Sequence, residues 1–356
     1  MSKLDEGLVR ALAEDGSACA VVRVRNPLHL GLISRHFDVA AKFPFINALG
    51  VRCDRRDAAR LADMQEVVSV TSQCRVRALD AREGDEAGAE TVEALGVAGL
   101  TGRGTVLAVL DTGVAPHLDV SVPRERIAEF RDFVGEGEHP YDDNGHGTFV
   151  AGVAAGGGVL SGGRIRGVAP EADIVAVKVI GASGETGAFT ILAGMQWLFD
   201  NCVRLGVKVA CMSFGADPLP SADPLKLGAE MLSRRGITVV CAAGNSGAGK
   251  LKSPGISPEV ITVGAVDGDM RVAEFSSSGM YQGVYRPDVC APGVAVKGPD
   301  AGGTYALMTG TSVSAPYVAG ACCLLHERYK RLTPRDVKRM IVASARVLDG
   351  ARVFRL

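Results

Sequence analysis

The sequence predicts an α/β protein: a parallel sheet with helices on both faces, preceded by a small α+β unit. Three observations carry that prediction. Short, continuous apolar runs recur from about residue 91 onward: "VLAVLD" (106–111), "IVAVKVIG" (174–181), "KVACMSFG" (208–215), "ITVVCAAGN" (237–245) and "VITVGAVD" (260–267). Helical stretches such as "HGTFVAGVAAG", "AFTILAGMQWLFDNCVRLG" and "PLKLGAEMLSRRG" alternate with them. That alternation makes βαβ units, whose strands are buried on both faces and so are apolar throughout. Residues 18–79 have a different rhythm and are set apart by "DAREGDEAGAE" (80–90), which is acidic, Gly/Ala-rich and without an apolar face.

The chain therefore divides into 1–79, a linker at 80–90, and 91–356. In the first unit "ACAVVRVRN" is a strand, "HLGLISRHF" a short helix, and "FPFINALGVRCD" a strand or hairpin. "RDAARLADMQEVV" is a helix with apolar residues three and four apart, and "SVTSQCRVRAL" is a closing strand. At the far end "RLTPRDVKRMIVASARVL" (331–348) is a closing helix opened by Thr-Pro.

Composition narrows the function. An apolar fraction of 47 % in 356 residues supports a large core. A net charge of −1 gives no basic field for nucleic acid. No apolar run reaches the roughly eighteen residues that a membrane span needs, and the opening "MSKLDEGLVRALAEDG" lacks the apolar stretch of a secretion signal. Nine cysteines, an odd number without CxxC pairs, point to free and mostly buried thiols in a reducing cytoplasm. No Cys/His cluster has zinc spacing, and no metal or other cofactor is expected. Asp142, Asp143 and Asn144 are expected to form a turn capping the next helix, and Cys241, Cys322, Cys323, Met195 and Trp197 to be structural.

Sites on parallel sheets form at the carboxyl ends of strands. Asp111 ends the first run, His146 opens a Gly/Ala-rich helix in "DDNGHGTFVAG", and Asn245 ends a later run. Ser312 stands in "TGTSVSAP" at the mouth of a helix. Alone, Ser312 is an ordinary helix cap. A nucleophilic serine needs a base, a carboxylate to fix the base's tautomer, and donors for an oxyanion. Asp111, His146 and Asn245 supply all three.

Chain order discriminates among serine hydrolases. There is no G-x-S-x-G elbow at Ser312, and Asp, His, Ser on a parallel sheet is the subtilisin order. "DTGV", "HGTFVAG", "SFG", "AAGN" and "GTSVSAP" occur in sequence, and over about 91–345 the chain resembles the subtilase family. The resemblance implies a subtilisin-like fold and a serine endopeptidase acting on proteins or peptides without a cofactor. Ser312 would attack the carbonyl, His146 would shuttle the proton, and Asp111 would support the imidazolium. The Asn245 side chain and the Ser312 N–H would bind the oxyanion. Ser213, Phe214 and Gly215 would pair with substrate backbone, and Ala242, Ala243 and Gly244 would line the first specificity pocket. Lys252, in "GKLKSPG", falls near that pocket's base, where a lysine favours acidic side chains; a solvated loop lysine is the alternative.

Phe149 and Val313 replace a histidine and a methionine common in the family. The segment "GGGVLSGGRIRG" (156–167) has no Asp, Glu or Asn where many extracellular members carry a calcium loop, so the resemblance is to the intracellular, calcium-poor type. The first unit is similar to the family's α+β, ferredoxin-like prodomains, which assist folding and then lie as intramolecular inhibitors along the cleft. The tail would be "VRAL", with Val76 and Leu79 suiting the fourth and first pockets. The family's usual mature start falls near Asp80, which implies self-cleavage at Leu79–Asp80. A leucine there conflicts with an acid-selective Lys252. The competing readings are a permanent regulatory first unit, a catalytically silent scaffold that keeps the fold, and an esterase on the same machinery.

Overall fold

The computed structural model describes residues 3–80, 99–220, 222–348 and 350–354. Most of the linker expected at 80–90 lies outside them.

The first unit is a β-α-β-β-α-β arrangement, the ferredoxin-like order. Strands Ser17–Val24, Asp38–Phe43, Ala48–Asp54 and Val67–Ser72 form an antiparallel sheet, with Ser17–Val24 between Ala48–Asp54 and Val67–Ser72 and with Asp38–Phe43 at one edge. Helices Leu30–His36 and Arg55–Asp63 cross between strands. The expected "strand or hairpin" at 43–54 is the second arm of a hairpin turned by Pro44–Ile46, with Asn47 left-handed at φ 54. An unexpected helix, Glu6–Asp15, begins the unit. Asp5 caps it by accepting the Leu8 N–H, and Leu8 and Leu12 enter the unit's core.

The expected closing strand is two strands. Val67–Ser72 completes the unit's own sheet, whereas Arg75–Ala78 leaves it and pairs elsewhere. The helix before them ends at Asp63 because Met64 is extended and Val67 onward is already sheet.

In the large region nine strands among the described residues share one sheet. From one edge the order is Arg346–Leu348, Ala351–Val353, Val289–Pro292, Ile261–Val266, Thr238–Ala242, Val207–Met212, Val106–Asp111, Asp173–Lys178 and Ile127–Asp132. All neighbours are parallel except the first pair. His146–Ala155 and Thr311–Arg328 pack together in the core on one face. Ala188–Leu205 and Pro224–Arg234 belong to the core on the other. The closing helix is Pro334–Ser344, opened by a reciprocal bond pair between Thr333 and Asp336.

The first unit docks on the second face. Val21, Phe43, Phe45, Ile46 and Ala48 share a core with Ile191, Leu192, Met195 and Leu225. Phe43 meets Phe189 edge-on with centroids 5.7 Å apart, Phe45 lies 5.8 Å from Phe199, and the Phe45 N–H donates to Gln196 Oε1 at 3.0 Å. Phe45→Ala in the full-length chain is expected to cost about 3 kcal/mol. Urea unfolding reads the loss, and limited proteolysis should cut the first unit earlier than in the parent.

Candidate active site

Each candidate residue sits where an element starts or ends at the carboxyl edge of the sheet. Asp111 closes its strand, and His146 begins the helix His146–Ala155. Asn245 lies just past Thr238–Ala242, and Ser312 lies in the first turn of Thr311–Arg328.

The His146 helix start is fixed by side chains. Asp142 accepts the N–H groups of Asn144, Gly145 and Thr148 and the Thr148 hydroxyl, while Asn144 Oδ1 accepts the His146 N–H. The acidic turn is thus a helix cap, as expected. Thr112 ties this helix to the strand: its hydroxyl accepts the Gly147 N–H, and its own N–H donates to Asp111 Oδ1. Behind it the fully buried Lys178 donates to the carbonyls of Thr112 and Ile180 and pairs with Asp143 at 2.5 Å.

His146 Nδ1 lies 2.7 Å from Asp111 Oδ1, and both side chains are buried. Burial opposes charging the imidazole, but the Asp111 carboxylate, through its charge and hydrogen bond, outweighs it and raises the His146 pKa, with Asp80 and Asp142 adding to the effect. The carboxylate also fixes the tautomer, leaving Nε2 on the far side of the ring. His146 Nε2, Asp111 Oδ2 and Ser312 Oγ are buried without a hydrogen-bond partner among the described residues. Buried polar atoms are normally paired, and leaving one unpaired costs about 1–3 kcal/mol. Three such atoms fall on the three residues that the sequence singled out as a catalytic set.

Asn245 is aimed by Thr311. The Thr311 N–H and hydroxyl both donate to Asn245 Oδ1, at 2.9 and 2.8 Å, while the Gly244 N–H donates to the Thr311 hydroxyl. Asn245 Nδ2 is left to donate to the Leu79 carbonyl at 2.6 Å. Gly310, at φ 154, keeps this space open: a Cβ there would lie 2.5 Å from Leu79 O, 3.0 Å from Asn245 Nδ2 and 3.1 Å from Ser312 Oγ. Of the two donors expected on this oxygen, the amide of Asn245 is the one bonded to it. Thr311 was not singled out in the sequence, although its hydroxyl beside Ser312 was the available signal.

Pro316 lies inside the serine helix and has no N–H, so the Ser312 carbonyl four residues earlier loses its helical donor. The Ser213 hydroxyl donates to it at 2.9 Å. Ser213 thereby joins the serine helix to the strand edge, and its own carbonyl accepts the Leu79 N–H at 3.1 Å. Phe214 and Gly215 pair antiparallel with Ala78 and Arg77.

The segment Arg75–Ala78 has a second partner that the sequence reading missed. Glu185–Gly187 pairs along its other side, and the Ala78 N–H donates to the Gly184 carbonyl. Arg75 and Arg77 both bridge to Glu185. The tail is the middle strand of three, Val76 and Leu79 are buried, and Asp80 is exposed. Ala242 and Ala243 are fully buried, and Gly244 turns the chain at φ 117.

Among the described residues no group of three or more His, Cys, Asp or Glu could hold a metal ion. In the loop 156–167 the Leu160 N–H donates to Asp119 Oδ1, and the Tyr305 hydroxyl donates to Asp119 Oδ2. The buried Arg126 guanidinium binds the carbonyls of Asp119, Ala155 and Ala172. All nine cysteines are free, and burial raises the pKa of Cys211 and Cys323 to about 12. No helix among the described residues is long and apolar enough to cross a membrane.

A family model described as the Subtilase family matches residues 102–356. Serine protease AprX of Bacillus subtilis (strain 168) is 38 % identical over 277 residues, which are 68 % of this chain and 61 % of AprX. Subtilisin Savinase of Lederbergia lenta is 41 % identical over 256 residues, covering 72 % of this chain and 88 % of Savinase. Among solved structures, a cold adapted subtilisin-like serine proteinase matches 72 % of this chain with a TM-score of 0.62 at 30 % identity. Fervidolysin from Fervidobacterium pennivorans, described as a keratinolytic enzyme related to subtilisin, matches the fold over 100 % of this chain and 63 % of its own, with a TM-score of 0.77 at 23 % identity. The chain thus spans less than two thirds of AprX and of fervidolysin.

In the intact Ser312→Ala chain, NMR should show His146 titrating above the 6.5 of a free imidazole. A raised value in the folded state means that His146 adds stability at low pH, lost as pH rises through its own titration. Asp111→Asn removes the largest opposing charge and should lower the midpoint from that of the parent, since burial is then opposed only by the weaker charges of Asp80 and Asp142. Titration of the Ser312→Ala parent at or below 6.5 would contradict the electrostatic account.

Proposed function

The chain belongs to the subtilase family, and on that premise we propose that it is a serine endopeptidase with Asp111, His146 and Ser312 as its triad. The observation that carries the reading is the Leu79 carbonyl, held by Asn245 Nδ2 beside the unpartnered Ser312 hydroxyl. Ser312 Oγ adds to a carbonyl carbon while its proton passes to His146 Nε2. The carbonyl oxygen takes the negative charge and is stabilised by Asn245 and the serine-helix start. His146 then protonates the leaving amine, the C–N bond breaks, and an acyl-Ser312 ester remains. Water, deprotonated by the same imidazole, releases the acid and restores the serine. Asp111 stays ionised throughout.

In this reading residues 1–79 are the prodomain, acting as intramolecular inhibitor and folding aid. Residues 80–90 hold the processing site, and 91–356 form the catalytic domain. Cleavage of Leu79–Asp80 is the first turnover: the tail already runs between two strand edges in the manner of an extended peptide substrate. Ser213, Phe214 and Gly215 then bind substrate backbone, with Ala242, Ala243 and Gly244 lining the first pocket. The same edges favour peptides over the simple esters of an esterase. A silent scaffold has no reason to keep both a buried Asp–His pair and a buried, unpaired serine. Nine free cysteines support placement of the enzyme in the cytoplasm, as a calcium-poor intracellular type.

A fluorophosphonate probe should add its mass at Ser312 of the purified chain and fail to do so in His146→Ala. N-terminal sequencing should give a start near residue 80 in the wild type and an intact chain in Ser312→Ala; an intact chain in both would leave the first unit as a permanent domain. Asn245→Ala should lower kcat on a peptide amide with less effect on KM. Loss of the corresponding donor in subtilisin costs about 10²–10³.

A further inference from the structure

We propose that Lys252 determines specificity at the first pocket, accepting a leucine along its stem and a glutamate at its ammonium group. The proposal rests on the endopeptidase reading above and names the substrate class of that site.

Lys252 is not a free loop residue. Its N–H donates to the Ala243 carbonyl at 2.9 Å, and the next residue, Ser253, exchanges both backbone bonds with Ala216. Its backbone is therefore pinned both to Ala242–Gly244, which would line the first pocket, and to the segment that follows Ser213–Gly215. Its stem runs along two glycines, Gly215 and Gly244. A Cβ on Gly215 would lie 2.7 Å from Lys252 Cβ, and one on Gly244 would lie 2.7 Å from Lys252 Cγ. The same Cβ on Gly215 would lie 3.1 Å from Leu79 Cδ1, so the leucine and the lysine stem share one face of Gly215. Apolar stems of lysine pack well while the charged end reaches for water or a partner.

That end is weakly committed. Lys252 Nζ is 2.6 Å from Asp217 Oδ1, but the Asp217 side chain is 90 % exposed whereas that of Lys252 is 19 % exposed. Such a partner is hydrated and easily exchanged. The nearby Asp223 is no competitor, because Ser253, Leu219 and Lys226 already donate to it. A glutamate in place of Leu79 has its carboxyl carbon as many bonds from Cα as the leucine Cδ1, with the oxygens one bond beyond. It can follow the same stem and take Nζ from Asp217. A leucine in the tail and a lysine in the pocket are then compatible.

The test compares peptides that differ only in the residue before the scissile bond: Leu, Glu or Gln. They are cleaved by the processed protein at pH 7.5, and Gln matches Glu in size without its charge. The kcat/KM ratio of Glu to Gln cancels any general loss in a variant. It should be about fivefold or more in the wild type, fall to about one in Lys252→Met, and rise severalfold further in Asp217→Asn, which releases the ammonium. Cleavage of the Leu peptide with a wild-type ratio near one, or with a ratio that Lys252→Met leaves unchanged, would overturn the proposal while leaving the endopeptidase standing. Cleavage of none of the three by a chain that also fails to label at Ser312 would overturn both.

Discussion

The structure depends on a helix that has no outside. From Thr311 to Leu324 every residue of Thr311–Arg328 is buried, between His146–Ala155 and the sheet. Such a helix can carry only small or apolar residues where backbones approach, which accounts for the run of Ser, Ala, Gly and Cys. Its first turn cannot be solvated, so its free groups must find partners in the protein. The Asn245 amide oxygen takes the Thr311 N–H, the Ser213 hydroxyl fills the gap left by Pro316, and the Ser314 hydroxyl binds the Ala291 carbonyl. The first two of these bonds also fix pieces of the site.

One atom is left out of this economy. Ser312 Oγ is buried and unpaired among the described residues, near the Leu79 carbonyl that Asn245 holds. The Asp111–His146 pair, set by the cap of a different helix and by buried Lys178, supplies a second rigid half. The two halves belong to separate elements, and the parallel sheet sets their spacing. The unpaired groups thus sit where the scaffold is most constrained, and in the proposed reaction that limits the reorganisation needed as charge develops.

The first unit combines two kinds of contact. Its aromatic face docks on Ala188–Leu205 and Pro224–Arg234, away from the chemistry, and its last strand threads between Phe214–Gly215 and Glu185–Gly187. Docking on helices raises the local concentration of the tail at the cleft. The tail then needs only backbone pairing and the fit of Val76 and Leu79.

The sequence by itself determined that its apolar runs form a parallel sheet, and it marked Asp111, His146, Asn245 and Ser312 as candidates at strand ends and helix starts. Continuous apolar runs and strand-end polar residues are local signals, fixed by burial on two faces and by short spacing along the chain. It did not determine the break at Ser72–Arg75, because Arg75–Ala78 is a strand only through partners more than a hundred residues away. Nor did it supply the second edge at Glu185–Gly187, the aim that Thr311 gives to Asn245, or the bond between Ser213 and the carbonyl freed by Pro316. The helix Glu6–Asp15 was written in its cap and in Leu8 and Leu12, yet two apolar contacts in a charged stretch become a helix face only once a sheet lies beneath them. Lys252 shows the division most plainly. Its charge was legible, but whether that charge met solvent or a pocket depended on two glycines from distant strand ends meeting along its stem, and only tertiary packing brings them there.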